Sequence, residues 1–80
     1  MISPSIELTI TYQDQCKLFM YDVGMPLNEV LELLKRIFFI TQNLQIKLID
    51  IRKEAEITSE KSFREDRPLR IVTFASNPAN

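Results

Sequence analysis

The chain has 80 residues, 45% of them hydrophobic, and its ten basic and eleven acidic side chains leave a net charge of −1. That length holds one domain and one core, over residues 1–80 with ordered structure expected at about 6–75. The apolar content excludes a disordered chain, and the balanced charge gives no reason to expect nucleic acid, which needs a clustered basic face.

In chain order, "MISPS" is an irregular lead-in, broken by Pro4. "IELTITY" (6–12) alternates, with Ile6, Leu8, Ile10 and Tyr12 on one side, and predicts a half-buried strand. "QDQ" is a polar break of hairpin length without the glycine a tight turn favours. "CKLFMYDV" (16–23) predicts a second strand, with either Phe19 and Tyr21 or Leu18 and Met20 facing inward. Gly24 permits an unusual backbone angle and Pro26 suits a first helical turn. The helix is expected over about 26–39. Leu27, Val30, Leu31, Leu34, Ile37 and Phe38 form one stripe, with Glu29 and Glu32 early and Lys35 and Arg36 late, as the helix dipole favours. Leu33, Phe39 and Ile40 fall outside the stripe and either cover the helix end or lie exposed.

"LQIKLIDI" (44–51) predicts a third strand with Leu44, Ile46, Leu48 and Asp50 on one face. "RKEAEITSEKSFREDRP" then carries five basic and five acidic residues, room for a short strand at "EIT" (56–58), and a helical turn at "SEKSF" with Ser59 as cap. "LRIVTFA" (69–75) is rich in β-branched and aromatic residues and predicts a central strand buried on both faces. "SNPAN" is a tail. Hairpin, helix, strand, charged excursion, strand: this order and burial pattern predict an α+β ubiquitin-like β-grasp, with a mixed four- to five-stranded sheet and one main helix on one face.

Chemistry in this chain is sparse. There is no His, the usual acid–base group at neutral pH. Cys16 is the only cysteine, so no intrachain disulfide forms, and a reducing, cytoplasmic setting fits. Cys16 is expected as a buried or half-buried strand residue. Asp50, Glu54 and Glu56 lack the glycine and alternating acids of a calcium loop, and a lone Gly24 makes no phosphate loop. Neither an enzyme nor a cofactor or metal site is expected. No stretch approaches the about 20 apolar residues of a membrane span, and "MISPSIEL" does not read as a signal peptide.

Binding is the remaining class. Three surfaces offer themselves: the edge of the second strand with Lys17 and Phe19, the charged segment after Asp50, and the apolar surplus at Phe39 and Ile40. "DVGMPLNEVLELL", "LQIKLID…AEITSEKSF" and "LRIVTF" together resemble a Phox-and-Bem domain over residues 6–75. The resemblance implies an adaptor of signalling scaffolds that pairs head to tail with another β-grasp domain, a lysine of one copy meeting an acidic loop of the other. It places the lysine position near Thr9, which is not basic. It places the acidic loop at Asp50, with Arg52 where a second acid is usual, Lys53 where glycine is usual, and Glu54 and Glu56 close by. The expected function is therefore a non-enzymatic protein–protein interaction domain, with Asp50, Glu54, Glu56, Lys17 and Phe19 as partner-binding candidates and self-association open. Two alternatives stand beside it. One is a small regulatory subunit docking through Phe39 or Ile40. The other is an unconjugated ubiquitin-like or Ras-association module, since the chain ends "NPAN" and not in Gly-Gly.

Overall fold

Alternating apolar residues build the first hairpin. The computed structural model describes residues 4–75, so residues 1–3 and the expected tail at 76–80 lie outside the described residues. Strand β1 (Ser5–Tyr12) pairs antiparallel with β2 (Gln15–Asp22), from Ser5 opposite Asp22 to Tyr12 opposite Gln15 without a bulge. Gln13 and Asp14 form the loop. Gln13 has a φ of 55°; a positive φ at the first central position alone marks a type II′ turn, where glycine is usual. The hairpin settles which face of β2 is inward. Phe19 and Tyr21 are buried with Leu8 and Ile10, while Leu18 and Met20 are exposed. Cys16 is exposed on the same outer face. This corrects the expectation of a buried or half-buried thiol: β2 lies at the sheet edge and only its other face is covered.

Gly24, at a φ of 108°, turns the chain from β2 toward the helix. Tyr21 Oη donates to Met25 O at 2.9 Å and accepts from Gly24 N at 3.3 Å, which ties the turn to the sheet. Helix α1 (Leu27–Ile37) starts after Pro26, whose carbonyl accepts from Glu29 N and Val30 N. Val30, Leu34 and Phe38 of the expected stripe are buried, and Leu27, Leu31 and Ile37 half-buried against them. Lys35 is also buried, a residue the sequence places only by its charge. The helix stops at Ile37, short of the expected 39. Phe39 adopts a left-handed φ of 57°, Ile40 N donates to Lys35 O at 2.8 Å, and Phe39 N donates to Arg36 O at 3.3 Å. These two bonds form a Schellman cap.

Strand β3 (Leu44–Asp50) pairs antiparallel with β5 (Leu69–Ala75) along its whole length. Strand β4 (Ala55–Glu56) is shorter and earlier than the expected 56–58. The next residue, Ile57, is instead buried and donates its N–H to Leu48 O at 2.8 Å. A 3₁₀ turn follows at Glu60–Ser62, capped as expected by Ser59, whose Oγ accepts from Lys61 N. Strand β5 runs parallel to β1, Ile10 opposite Leu69, and the sheet order is β2-β1-β5-β3-β4. So the last strand is central, as its composition predicts. Burial on both its faces is not observed: Leu69 and Ile71 are buried, Arg70 and Val72 half-buried, and Phe74 exposed. One helix covers one face only, and no second layer exists among the described residues. The architecture is α+β, a five-stranded mixed sheet with one helix, compatible with a β-grasp.

Candidate interaction surfaces

The loop after β3 is shaped by its own acid. Asp50 is only 2% exposed. Its Oδ1 accepts from Arg52 N at 3.0 Å and Lys53 N at 3.2 Å, and its Oδ2 lies 3.8 Å from Arg67 Nη1. A carboxylate used this way folds the turn and leaves little of itself for a partner. Glu54 closes the turn with a φ of 53° and an N–H bonded to Asp50 O at 2.7 Å. Its carboxylate lies 3.9 Å from Arg70 Nη2 in an exposed ion pair, a type that contributes little to stability. Glu56 is exposed. Of the three acids, then, Glu54 and Glu56 reach the surface and Asp50 does not.

The β2 edge is different. Among the described residues no strand covers its outer side. In a two-residue hairpin the flanking residues form the first hydrogen-bonded pair, and such pairs alternate along the ladder. Here they are Tyr12–Gln15, Ile10–Lys17, Leu8–Phe19 and Ile6–Tyr21. The bond from Val23 N to Pro4 O, 3.0 Å long, continues the same alternation. The main-chain groups of Cys16, Leu18, Met20 and Asp22 therefore point away from β1, although the Asp22 carbonyl already accepts from Met25 N. Leu18 is 62% and Met20 55% exposed. Long flat edges are ordinarily blunted by proline, a bulge or a lysine. Here the only cation is Lys17, and its Nζ turns away to donate to Ile37 O at 3.2 Å, over the rings of Phe38 and Phe39. Lys17 thus caps the helix C-terminus, favourable for the dipole, and leaves the edge unguarded. Phe19 is part of the core, so the edge presents its backbone neighbours and not its ring.

At the Lys17 end of β2 stands Phe39, 89% exposed. The sequence groups Phe39 with Ile40, but the structure separates them: Ile40 is buried against the core. At the other end of β2 lies a groove of about 720 Å³. Ile6, Tyr21, Val23 and Phe63 give it apolar walls, and the Tyr21 and Phe63 rings meet at 4.7 Å. The far wall is held by Glu60, whose Oε1 accepts from Leu27 N at 3.1 Å and so caps α1 from the 3₁₀ turn. Arg64 folds onto its own loop, donating to Lys61 O and Phe63 O. Sequence reasoning missed this groove, because Ile6 and Phe63 are brought together only by the sheet and are distant in the chain.

Among the described residues no group of three His, Cys, Asp or Glu side chains is placed to hold a metal ion, and no helix is long and apolar enough to cross a membrane. No family model, no curated protein and no solved structure matches this chain.

Proposed function

We propose that this chain is a non-enzymatic protein–protein interaction module of ubiquitin-like β-grasp fold that binds its partner by strand addition at β2. The sheet order β2-β1-β5-β3-β4, with parallel β1 and β5 in the middle and α1 on one face, supports the β-grasp reading. The observation that carries the binding mode is the eight-residue edge of β2, uncovered among the described residues, with Leu18 and Met20 exposed and its one lysine turned inward. Main-chain bonds to such an edge supply affinity and the flanking side chains supply specificity. The resemblance to Phox-and-Bem domains points instead to the loop after β3, but burial of Asp50, the acid that opens that loop, weighs toward the edge.

The test is affinity capture with the chain in its natural context, wild type beside two double variants, Leu18→Lys with Met20→Lys and Glu54→Lys with Glu56→Lys. Loss of the captured partner with the first pair alone is the expected result. Loss with the second pair alone moves the site to the acidic loop, and retention by both rejects the edge and the loop together.

A further inference from the structure

Resting on the edge reading, we propose further that the strand added to β2 is β2 of a second copy of this chain. The two copies pair antiparallel about a two-fold axis, and Phe39 of each enters the groove beside Tyr21 of the other.

Register favours a second copy. An added strand must place its own outward-bonding residues opposite Cys16, Leu18, Met20 and Asp22. A second β2 can do this with all four at once in one antiparallel register only, with Cys16 opposite Asp22, Leu18 opposite Met20, and Phe19 opposite itself; Asp22 enters through its N–H, since its carbonyl is held by Met25 N. Shifting by two residues in either direction leaves at least one of the four facing a residue outside the set. In this register Leu18 and Met20 of both copies meet on the open face as one apolar cluster, and no like charges stand directly opposite.

Knob and groove lie at opposite ends of β2. Phe39 lies beside Lys17, its ring 5.9 Å from Nζ. The groove is lined by Tyr21, Val23 and Gly24 at the other end of the same strand. Both belong to the helix-covered side of the sheet, since Lys17 reaches the α1 C-terminus and Tyr21 reaches the turn before α1. Only an antiparallel pair brings opposite ends of one strand together. In the register above Lys17 faces Tyr21 of the other copy, so each Phe39 arrives at the other copy's groove. Two-fold interfaces require this self-complementarity, in which one residue contacts a second and the second contacts the first. Phe39 holds a left-handed backbone normally given to glycine and exposes nearly all of its ring. Burial in a partner's groove supplies the return for both.

Sedimentation velocity over a concentration series tests the proposal on the wild-type chain, on Phe39→Ala, and on Leu18→Lys with Met20→Lys. Circular dichroism confirms that the variants fold, as substitution of these exposed residues permits. The expected result is a dimer whose Kd rises about tenfold or more in each variant. Register is read separately in a Cys16→Ser background. Leu18→Cys mixed with Met20→Cys yields the crosslinked pair, because directly opposed residues lie about 5.5 Å apart at Cα, within disulfide reach; neither variant crosslinks with itself. A dimer indifferent to Phe39→Ala or to the edge lysines overturns the proposal, as does crosslinking of like variants. A wild-type chain that stays monomeric at its highest soluble concentration also overturns it. If that monomer still captures a partner that the edge lysines abolish, strand addition at β2 stands without the second copy. If capture ignores those lysines, both readings fall.

Discussion

Asp50 is the residue whose role differs most from its appearance in the sequence. There it opens an acidic run; in the fold it is the acceptor on which the turn from β3 to β4 is built. Asp50→Ala leaves the Arg52 and Lys53 amides without that acceptor and should lower stability by about 1–3 kcal/mol, read from the midpoint of urea unfolding. Asp50→Asn keeps one carbonyl oxygen and should restore most of the loss. Phe39 is the converse. It occupies the left-handed position after α1 where a non-glycine residue costs about 1–2 kcal/mol. Phe39→Gly should therefore raise the unfolding midpoint while weakening self-association. A gain in stability with unchanged association would assign the ring no binding role. Neither residue's part is legible from type alone. An acid in a mixed-charge run looks solvated, and helical spacing in "RIFFI" puts Phe38 in the core stripe but leaves Phe39 and Ile40 either over the helix end or exposed, without saying which of those two turns inward.

At the scale of elements, α1 borrows its first cap. Pro26 has no donor or acceptor side chain, and the Leu27 amide is satisfied by Glu60 from the far side of the groove. Glu60→Ala should cost about 0.5–2 kcal/mol, with faster amide exchange confined to the first turn of α1. Glu60→Gln, which keeps an acceptor oxygen, should cost less, and equal effects of the two changes would show that the carboxyl oxygen is not the cap. The strands and helix themselves are legible in the sequence. Period-two alternation marks β1 and β3, and a helical stripe marks α1. The boundaries that slip do so where a tertiary contact intervenes: the helix ends early because Ile40 is pulled into the core behind a left-handed Phe39, and β4 shrinks because Ile57 turns inward beneath Leu48. For β2 the sequence leaves two faces open, since "KLFMY" is apolar on both, and only pairing with Leu8 and Ile10 decides.

At the scale of the molecule, one covered sheet face and, among the described residues, one bare face set the pattern of mutational cost. Leu48→Ala, in the layer under α1, should destabilise by about 2–5 kcal/mol. Leu18→Ala, at the exposed edge, should fall within about 0.5 kcal/mol. Comparable losses at the two sites in thermal unfolding of the monomer would contradict this division. The apolar surplus that the sequence places at Phe39 and Ile40 lies elsewhere in part: among the described residues Leu18, Met20, Val23, Phe39 and Phe74 are the large exposed apolar side chains, and Ile40 is buried. Sequence alone does not reach Leu18 and Met20, because their exposure depends on which strand ends up at the edge.

The parallel pairing of β1 with β5 carries a consequence for the order of folding. Ile10 and Leu69 are about sixty residues apart in the chain, so their contact closes a long loop, whereas the β1–β2 hairpin closes over two residues. We therefore expect the hairpin to form early and β5 to join late. Weakening the hairpin by Phe19→Leu, on the strand that pairs with β1 and not with β5, should slow refolding, while Ile71→Val should mainly speed unfolding, a contrast visible in the two limbs of a stopped-flow chevron. It follows that the outer edge of β2 is complete before the sheet around it is. If β2 is the site of self-association proposed above, a chain still being made or refolded already carries the strand edge of that interface, though not yet Phe39 or the Phe63 wall of the groove, and refolding yield should fall with concentration even when the folding rate does not.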